Sequence, residues 1–444
     1  MRTINPRKIA IIGTGYVGTA NAVGFAELGC HVVGFDTNVE RIRLLQGGVP
    51  PYREDGLAEL LRRHLVRERL EFVADLSSAI RDAAFIIISV GTPSRDDGSA
   101  DLSALELVID QLSRVATRRS TVIVLRSTVP PGTSDRMAER LPDGLELLYC
   151  PEFLREGSAV YDFLNPDRTI VGAESDTAAA AYAELLKDVD APVMVATRRD
   201  AELVKGASNA FLALKISFAN EIANLCGQMD ADARAVLRGI GYDRRIGEAY
   251  LTPGIGFGGP CFEKDVLSLE HVARHNGSPS HLLRATLRVN ELQPRKIVDM
   301  LEEELGALRG LHIGVWGLAF KAGTDDLRSS LALRILADLD VRGATAIAYD
   351  PAIERAELPG GAVLAGSAAD AACADALLVL TEWPEFCDVA PSVLAASLRR
   401  RVVVDGRNLL DGEELARCGI RYRGVGLAAS PDAVEWEAAA GGRR

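Results

Sequence analysis

KIAIIGTGYVG, residues 8–18, runs from a short apolar stretch straight into a glycine turn, and its reading decides the fold. A strand ending in Gly-x-Gly-x-x-Gly and opening a helix fits a dinucleotide-binding βαβ unit. The glycines permit a tight turn and close backbone approach, and the helix N-terminus receives a pyrophosphate. Gly13, Gly15 and Gly18 occupy the three glycine positions, with Tyr16 and Val17 between the last two. The next apolar run, HVVGFDTN, ends in Asp36, at the distance expected of the acid that hydrogen-bonds a ribose and repels a 2′-phosphate. The glycine pattern alone is weak. With a strand before it, a helix after it and the acid in place, it points to NAD rather than NADP.

Outward from this turn, AAFIIISVGTPS and TVIVLRSTVPPGT are continuous apolar runs of the kind that form a parallel sheet covered on both faces. They end in Gly91, Thr92, Pro93 and in Ser127, Thr128, on the side of such a sheet where ligands collect. Each could also be a plain strand-ending turn. The far half of the chain is similar: LHIGVWGLAFKAGTDD, TAIAYDPA, ADALLVLTEWPEF and RVVVDGRNLLD, with Asp350 ending its second strand. Gly317 is followed by Leu318, Ala319, Phe320 and Lys321 rather than by further glycines, so a second dinucleotide is not expected there. Between the halves, Leu203, Ala207, Phe211, Leu214, Phe218, Ile222 and Leu225 recur every three or four residues, which predicts one long helix. That helix reads equally as a connector with a dimer interface or as an ordinary core helix. The expected architecture is α/β, with two Rossmann-like doubly wound domains joined by a long central helix. The boundaries fall at 1–198, 199–296 and 297–426, followed by a flexible tail at 427–444.

Composition sets outer limits. With 444 residues, 48% hydrophobic and 25% charged, the chain is long enough for two or three domains. Its net charge of −12 gives no basic footprint for nucleic acid. An anionic small molecule remains compatible, because a local cluster of cations and N–H groups can override the global field. Seven scattered cysteines, an odd number with no C-x-x-C pair, read as reduced and cytoplasmic, and no metal site is expected. No signal peptide and no apolar run long enough to span a membrane is apparent.

PGIGFGGPCFEKD, residues 253–265, places glycines before Cys261 and Pro260 where a helix could begin. A thiol at a helix N-terminus has a lowered pKa and becomes a competent nucleophile. Asp265, four residues on, would handle a water or a proton rather than stabilise the sulfur. A buried thiol at a glycine turn is the bland alternative. Lys205 and Asn209 share one face of the long helix, and Glu152 and Glu156 flank PEFLREGSA, with Asn165 and Arg168 following in NPDR. Lys321 and Arg328 could meet a phosphate or remain solvated. Together with a dinucleotide and a cysteine, these residues suggest carbonyl oxidation through a covalent thio-intermediate.

GTGYVG, GTPS, STVPPGT, PEFLREGSA, NPDR, the Lys205–Asn209 helix, GFGGPCFEKD and GLAFKAGTDDLRSS stand in the order found in the UDP-glucose/GDP-mannose dehydrogenase family, which the chain resembles over roughly residues 7–425. The resemblance implies an N-terminal NAD-binding domain, a central helical dimerisation region carrying the cysteine loop, and a C-terminal domain for the UDP-sugar. It implies a homodimer and NAD-dependent four-electron oxidation of UDP-glucose at C6 to UDP-glucuronate through a thiohemiacetal and a thioester. By motif position Cys261 is the nucleophile, Lys205 stabilises an oxyanion or relays a proton, and Asn209 positions the reacting oxygen. Asp265 and Thr128 hold the water, and Glu156 assists hydrolysis. Glu152, Phe153, Leu154, Arg155 and Glu156 would contact the sugar. Tyr250, Gly254, Phe257, Gly258, Phe320, Lys321 and Arg407 would bind the nucleotide sugar, and Arg245 would come from across a dimer. Lys264 and Arg328 would reach the cofactor. Pro260 departs from the serine frequent before the cysteine. The residues leave open dTDP-glucose, a UDP-N-acetylhexosamine or GDP-mannose as substrate, a two-electron hydroxy-acid oxidation with Cys261 merely structural, or a silent sugar-nucleotide sensor.

Overall fold

The structure, a computed structural model, describes residues 7–115 and 121–427. The expected flexible tail, apart from residue 427, lies outside the described residues. The chain divides into two compact units, residues 1–209 with 264–279 and residues 210–263 with 280–444.

The first unit carries eight strands: β1 (Lys8–Ile12), β2 (His31–Phe35), β3 (Leu70–Val73), β4 (Phe85–Ile88), β5 (Val122–Leu125), β6 (Glu146–Tyr149), β7 (Thr169–Gly172) and β8 (Val193–Ala196). They lie in the order β3-β2-β1-β4-β5-β6-β7-β8. The first six run parallel, β7 meets β6 antiparallel where Tyr149 faces Gly172, and β8 runs parallel to β7. Period-two alternation explains the unbroken apolar runs. Ile9 and Ile11 enter the core on one face of the sheet, and Ala10 and Ile12 enter the core on the other. The order reverses between β1 and β4, so the turns after those strands flank the crevice where such sheets bind ligands.

The second unit repeats the plan with β9 (His312–Trp316), β10 (Thr345–Tyr349), β11 (Val363–Leu364), β12 (Ala376–Val379), β13 (Val402–Asp405) and β14 (Arg421–Gly424). Its order is β11-β10-β9-β12-β13-β14, all parallel. Relative to its first strand this is the same 3-2-1-4-5-6 arrangement as β1 to β6, as expected of two doubly wound domains. β11 is two residues long, β14 (RYRG) carries two arginines in four residues, and β8 (VMVA) is a four-residue strand at the sheet edge, which leaves little periodic signal in any of them.

The long central helix is present as Arg198–Gln228, 31 residues. The Thr197 hydroxyl and Asp200 cap its start reciprocally: the Asp200 N–H donates to Thr197 Oγ1 at 3.1 Å, and that hydroxyl lies 2.7 Å from the Asp200 carboxylate. Its first part, through Asn209, belongs to the first unit and the rest to the second. Among the described residues no helix is long and apolar enough to cross a membrane, and no group of three His, Cys, Asp or Glu side chains could hold a metal ion.

Candidate active site

The glycine turn after β1 is built as the fingerprint requires. Gly13 adopts φ +89°, and a side chain on Gly18 would put its first carbon 1.8 Å from the Gly13 carbonyl oxygen, so helix Tyr16–Glu27 can close on the strand only through a glycine. Gly15 and Gly91 differ: a carbon added at either meets nothing within 4 Å. Their backbones face open space at the carboxyl ends of β1 and β4, which is the room a pyrophosphate needs. The two loops on the far side of the crevice are tied together, because Thr92 Oγ1 donates to Thr128 O at 2.6 Å and Ser127 Oγ to Val90 O at 2.7 Å. Gly91, Thr92, Pro93, Ser127 and Thr128 thus lie on two loops that these hydrogen bonds join.

Asp36 is buried and takes the Thr14 N–H at 2.8 Å, the Asn38 N–H at 2.9 Å and the Arg41 guanidinium at 2.8 Å. Burial alone would raise its pKa. The two N–H groups and Arg41 outweigh that, and the carboxyl lies below its ordinary value. A carboxylate oxygen has lone pairs for more than one donor, so the ionised Asp36 still suits a ribose hydroxyl. Arg41 was not foreseen; the signal was a base five residues past the ribose acid.

A second group of side chains lies on the central helix and beside it. Lys205, almost fully buried, places Nζ 3.1 Å from Glu152 Oε1, while the other oxygen of Glu152 receives the Leu154 N–H at 2.7 Å. Both Lys205 and Arg168 stack on the Phe153 ring, at 5.2 Å and 4.0 Å from its centroid. One turn on from Lys205, Asn209 Nδ2 lies 2.6 Å from Asp265 Oδ2, and Lys264 Nζ lies 2.5 Å from the other oxygen of Asp265, whose exposure is 3%. Glu152, Phe153, Leu154, Lys205, Asn209, Lys264 and Asp265 are thus brought together in the first unit. Arg155 pairs with Asp162 at 2.6 Å. The adjoining Glu156 precedes Gly157, whose N–H meets Tyr16 Oη and Glu54.

Cys261 belongs to the second unit. Pro260 was read as the first helical residue, but the helix is Phe262–His275, so Cys261 directly precedes it and Pro260 stands one residue further out. Helix starts shift by a residue or two because the cap residue is only half helical. The thiol is exposed at the start of a 14-residue helix, as anticipated.

The glycine loop before it serves the protein's own packing first. Gly256 has φ +108° and lies against Asn290, and a carbon on Gly258 would come 2.8 Å from the Ser329 carbonyl oxygen. Three amides hold the loop: Asn220 Oδ1 accepts the Gly254 N–H at 2.7 Å, Gln293 donates to Gly254 O at 2.9 Å, and Asn290 pairs with both backbone groups of Phe257 at 2.7 and 2.9 Å. Neighbouring backbone at Gly254 and Gly258 and the Asn290 and Leu331 side chains at Gly256 leave no room for a larger residue in this loop. Arg407 adjoins Gly254, donating to Leu380 O at 2.8 Å and Phe320 O at 3.3 Å. Gly254, Phe257, Gly258, Phe320 and Arg407 therefore meet in the second unit. Tyr250 faces Phe262 edge-on at 6.1 Å. Arg328 pairs with Asp326 at 2.5 Å, and the 89% exposed Arg245 side chain pairs with Asp243 at 2.6 Å. The turn after β9 is closed differently from its counterpart. Asp350 accepts the Leu318 and Ala319 N–H groups at 2.8 and 3.0 Å and Trp383 Nε1 at 3.1 Å on one oxygen and the Ala352 N–H at 2.9 Å on the other, so an indole stands where Asp36 has the Arg41 guanidinium.

Three family models match in succession: the UDP-glucose/GDP-mannose dehydrogenase family NAD binding domain over residues 7–190, its central domain over 199–292 and its UDP binding domain over 314–412. UDP-glucose 6-dehydrogenase TuaD of Bacillus subtilis (strain 168) is 41% identical over 437 residues, covering 95% of this chain and 94% of that protein. Among solved structures, a UDP-glucose dehydrogenase from Pyrobaculum islandicum superposes with a TM-score of 0.88 at 40% identity, over 96% of this chain and 99% of that one. A UDP-D-ManNAc dehydrogenase from Pyrococcus horikoshii gives 0.84 at 28% identity, over 94% and 99%.

Proposed function

This chain belongs to the UDP-glucose/GDP-mannose dehydrogenase family, an NAD-dependent oxidoreductase with a UDP-sugar binding domain, and from that premise we propose that it oxidises UDP-glucose at C6 to UDP-glucuronate. The observation that carries the reading is the buried polar set Glu152, Lys205, Asn209 and Asp265 within the NAD-binding unit. The Gly13–Gly18 turn, Asp36 and the Gly91–Pro93 and Ser127–Thr128 loops would hold NAD, which when bound would supply the hydride acceptor for each of two oxidations.

The side chains supply the rest. Cys261 Sγ adds to the C6 aldehyde as a thiohemiacetal, whose further oxidation leaves a thioester. Lys205 offers an ammonium to the oxygen on which charge develops, and its contact with Glu152 keeps that ammonium in place before substrate arrives. Asn209 directs its amide at the same oxygen and orients Asp265. Asp265, with Thr128, holds the water that attacks the thioester, and Glu156 assists its deprotonation. Water cleaves the C–S bond, giving the carboxylate and returning the thiol. Arg407, Phe320, Lys321 and the glycine loop take the nucleotide sugar, and Lys264 and Arg328 serve the cofactor.

A homodimer through the central helix fits the exposed stripe of Phe211 (61%), Phe218 (47%) and Leu225 (49%), seven residues apart and so nearly in line on one face. Arg245 would then serve the partner's substrate. Seven cysteines without a disulfide among the described residues fit a reducing, cytoplasmic setting. The likeness to a UDP-D-ManNAc dehydrogenase keeps an N-acetylated UDP-hexosamine as the second reading.

Counting NADH per sugar consumed while weighing the product tests the reaction. Two NADH and a uronic acid support it; one NADH per substrate overturns it. A panel of nucleotide sugars compared by kcat/KM tests the substrate, and a tenfold preference (about 1.4 kcal/mol) for any sugar over UDP-glucose overturns that choice.

A further inference from the structure

We propose that Glu54 is a positioning residue that couples the cofactor-binding turn to the loop carrying Glu156. It lies outside every motif considered above, in the loop between helices Val39–Gln46 and Leu57–Val66, and is buried. Its carboxylate is a three-way junction. The Tyr16 hydroxyl donates to Oε2, the Gly157 N–H donates to Oε2 at 2.8 Å, and the Ala159 N–H donates to Oε1 at 2.5 Å. The Gly157 N–H also lies 2.7 Å from Tyr16 Oη.

The two sides of this junction belong to different parts of the site. Tyr16 is the first residue of the helix that opens from the Gly13–Gly18 turn, where the cofactor's pyrophosphate is received. Gly157 and Ala159 stand one and three residues after Glu156 in the chain. Tyr16 is itself braced: Tyr52 Oη donates to its carbonyl oxygen at 2.9 Å, and the two rings lie 4.5 Å apart. Burial and the bond to Glu54 raise the Tyr16 pKa far above its ordinary value, so the phenol is a donor throughout the working range. A buried carboxylate with three donors from two segments fixes their spacing, since moving either leaves an N–H or O–H unpaired. Fixing the turn with NAD therefore fixes the 152–159 loop, and by reciprocity an ordered loop favours NAD.

The consequence for catalysis rests on the reaction proposed above: Glu54 would act through Glu156 on thioester hydrolysis. The test separates the two readings. Hydrogen exchange is followed in the full-length protein with and without NAD, with no sugar present, in wild type, Tyr16→Phe and Glu54→Gln. NAD should slow exchange across 152–159 in wild type by about five- to tenfold. It should slow it by less than about twofold in both variants, with exchange in β1 unchanged and both proteins folded, although each melts lower where a buried group loses its partner. Equal protection in wild type and Tyr16→Phe, or none in wild type, overturns the proposal. Should Glu54→Gln not fold, Tyr16→Phe carries the test.

In a second arm, rapid mixing with NAD and UDP-glucose should leave a burst of two NADH per site in Tyr16→Phe while steady turnover falls about tenfold or more. A variant with full steady turnover overturns the role in hydrolysis. A wild-type protein that makes no NADH from UDP-glucose sinks the substrate reading, while the exchange arm still decides the coupling.

Discussion

Asn209 Nδ2 donates to Asp265 Oδ2 across 2.6 Å, joining the central helix to the helix that follows Cys261. Both side chains are buried, and the opposite oxygen of Asp265 meets Lys264 at 2.5 Å. Asp265→Asn keeps the shape and removes the negative charge, and with it the base that would hold the attacking water. We expect kcat to fall by about 100-fold or more with KM for the sugar little changed. The melting temperature should drop only modestly, because Lys264 retains access to solvent. Near-normal kcat in a folded Asp265→Asn protein would remove Asp265 from the chemistry.

The glycine turn offers a cleaner separation of fold from ligand. Gly18→Ala drives a carbon to 1.8 Å from a backbone oxygen and should cost about 3 kcal/mol or more, or prevent folding. Gly15→Ala meets no protein atom within 4 Å, at a φ of −68° that alanine accepts. Its melting temperature should match wild type, while the dissociation constant for NAD rises by about tenfold or more. Unaltered NAD binding in Gly15→Ala would mean that the pyrophosphate lies elsewhere.

Thiol reactivity should follow position. Cys30, Cys150 and Cys226 are buried, and burial pushes the Cys30 thiol up to about 11 and raises Cys150 as well. Cys261 is exposed at a helix start, where the dipole favours thiolate. Iodoacetamide near neutral pH should abolish activity in step with modification of Cys261, and UDP-glucose should protect it. Peptide mapping decides the matter: activity lost in step with Cys373 or Cys387 instead would make Cys261 a bystander.

Local pattern carries some of this architecture and misses the rest for physical reasons. β1, β2, β4, β5, β9, β10, β12 and β13 were legible because strands buried on both faces must be continuously apolar. β8, with Val193, Met194 and Val195 about half exposed, is an edge strand that pairs on one side only, with β7, so it lacks the burial on both faces that marks the others. Lys205 and Asn209 were visible because polar residues on an apolar helix face demand partners. The partners themselves, Glu152 and Asp265, lie 53 and 56 residues away, beyond the reach of local pattern. Glu54 had no local signal at all: an acid in PPYREDGL reads as solvated until the fold brings Gly157 to it, 103 residues on.

Glu202 was missed although it lies three residues before Lys205 on the same helix, and it gives the pH-dependent prediction. Almost wholly buried, it accepts the Gly132 N–H at 2.5 Å, the Ser134 N–H at 2.7 Å and the Ser134 hydroxyl at 2.6 Å, which anchors the loop that begins with Ser127 and Thr128. Burial raises its pKa, and these donors only partly offset the rise. The folded state therefore holds this proton to higher pH than the unfolded chain does. Its contribution to stability is fully present below the unfolded value near ~4.3 and declines as pH rises through the raised folded value. Glu202→Gln cannot ionise and has one acceptor oxygen for three donors. It should be less stable by about 1–3 kcal/mol at neutral pH, where an N–H goes unpaired. Its stability should also change less than wild type's between about pH 4.5 and about pH 7.5. Urea unfolding at several pH values measures both quantities, and parallel curves for the two proteins would show that Glu202 does not titrate differently on folding.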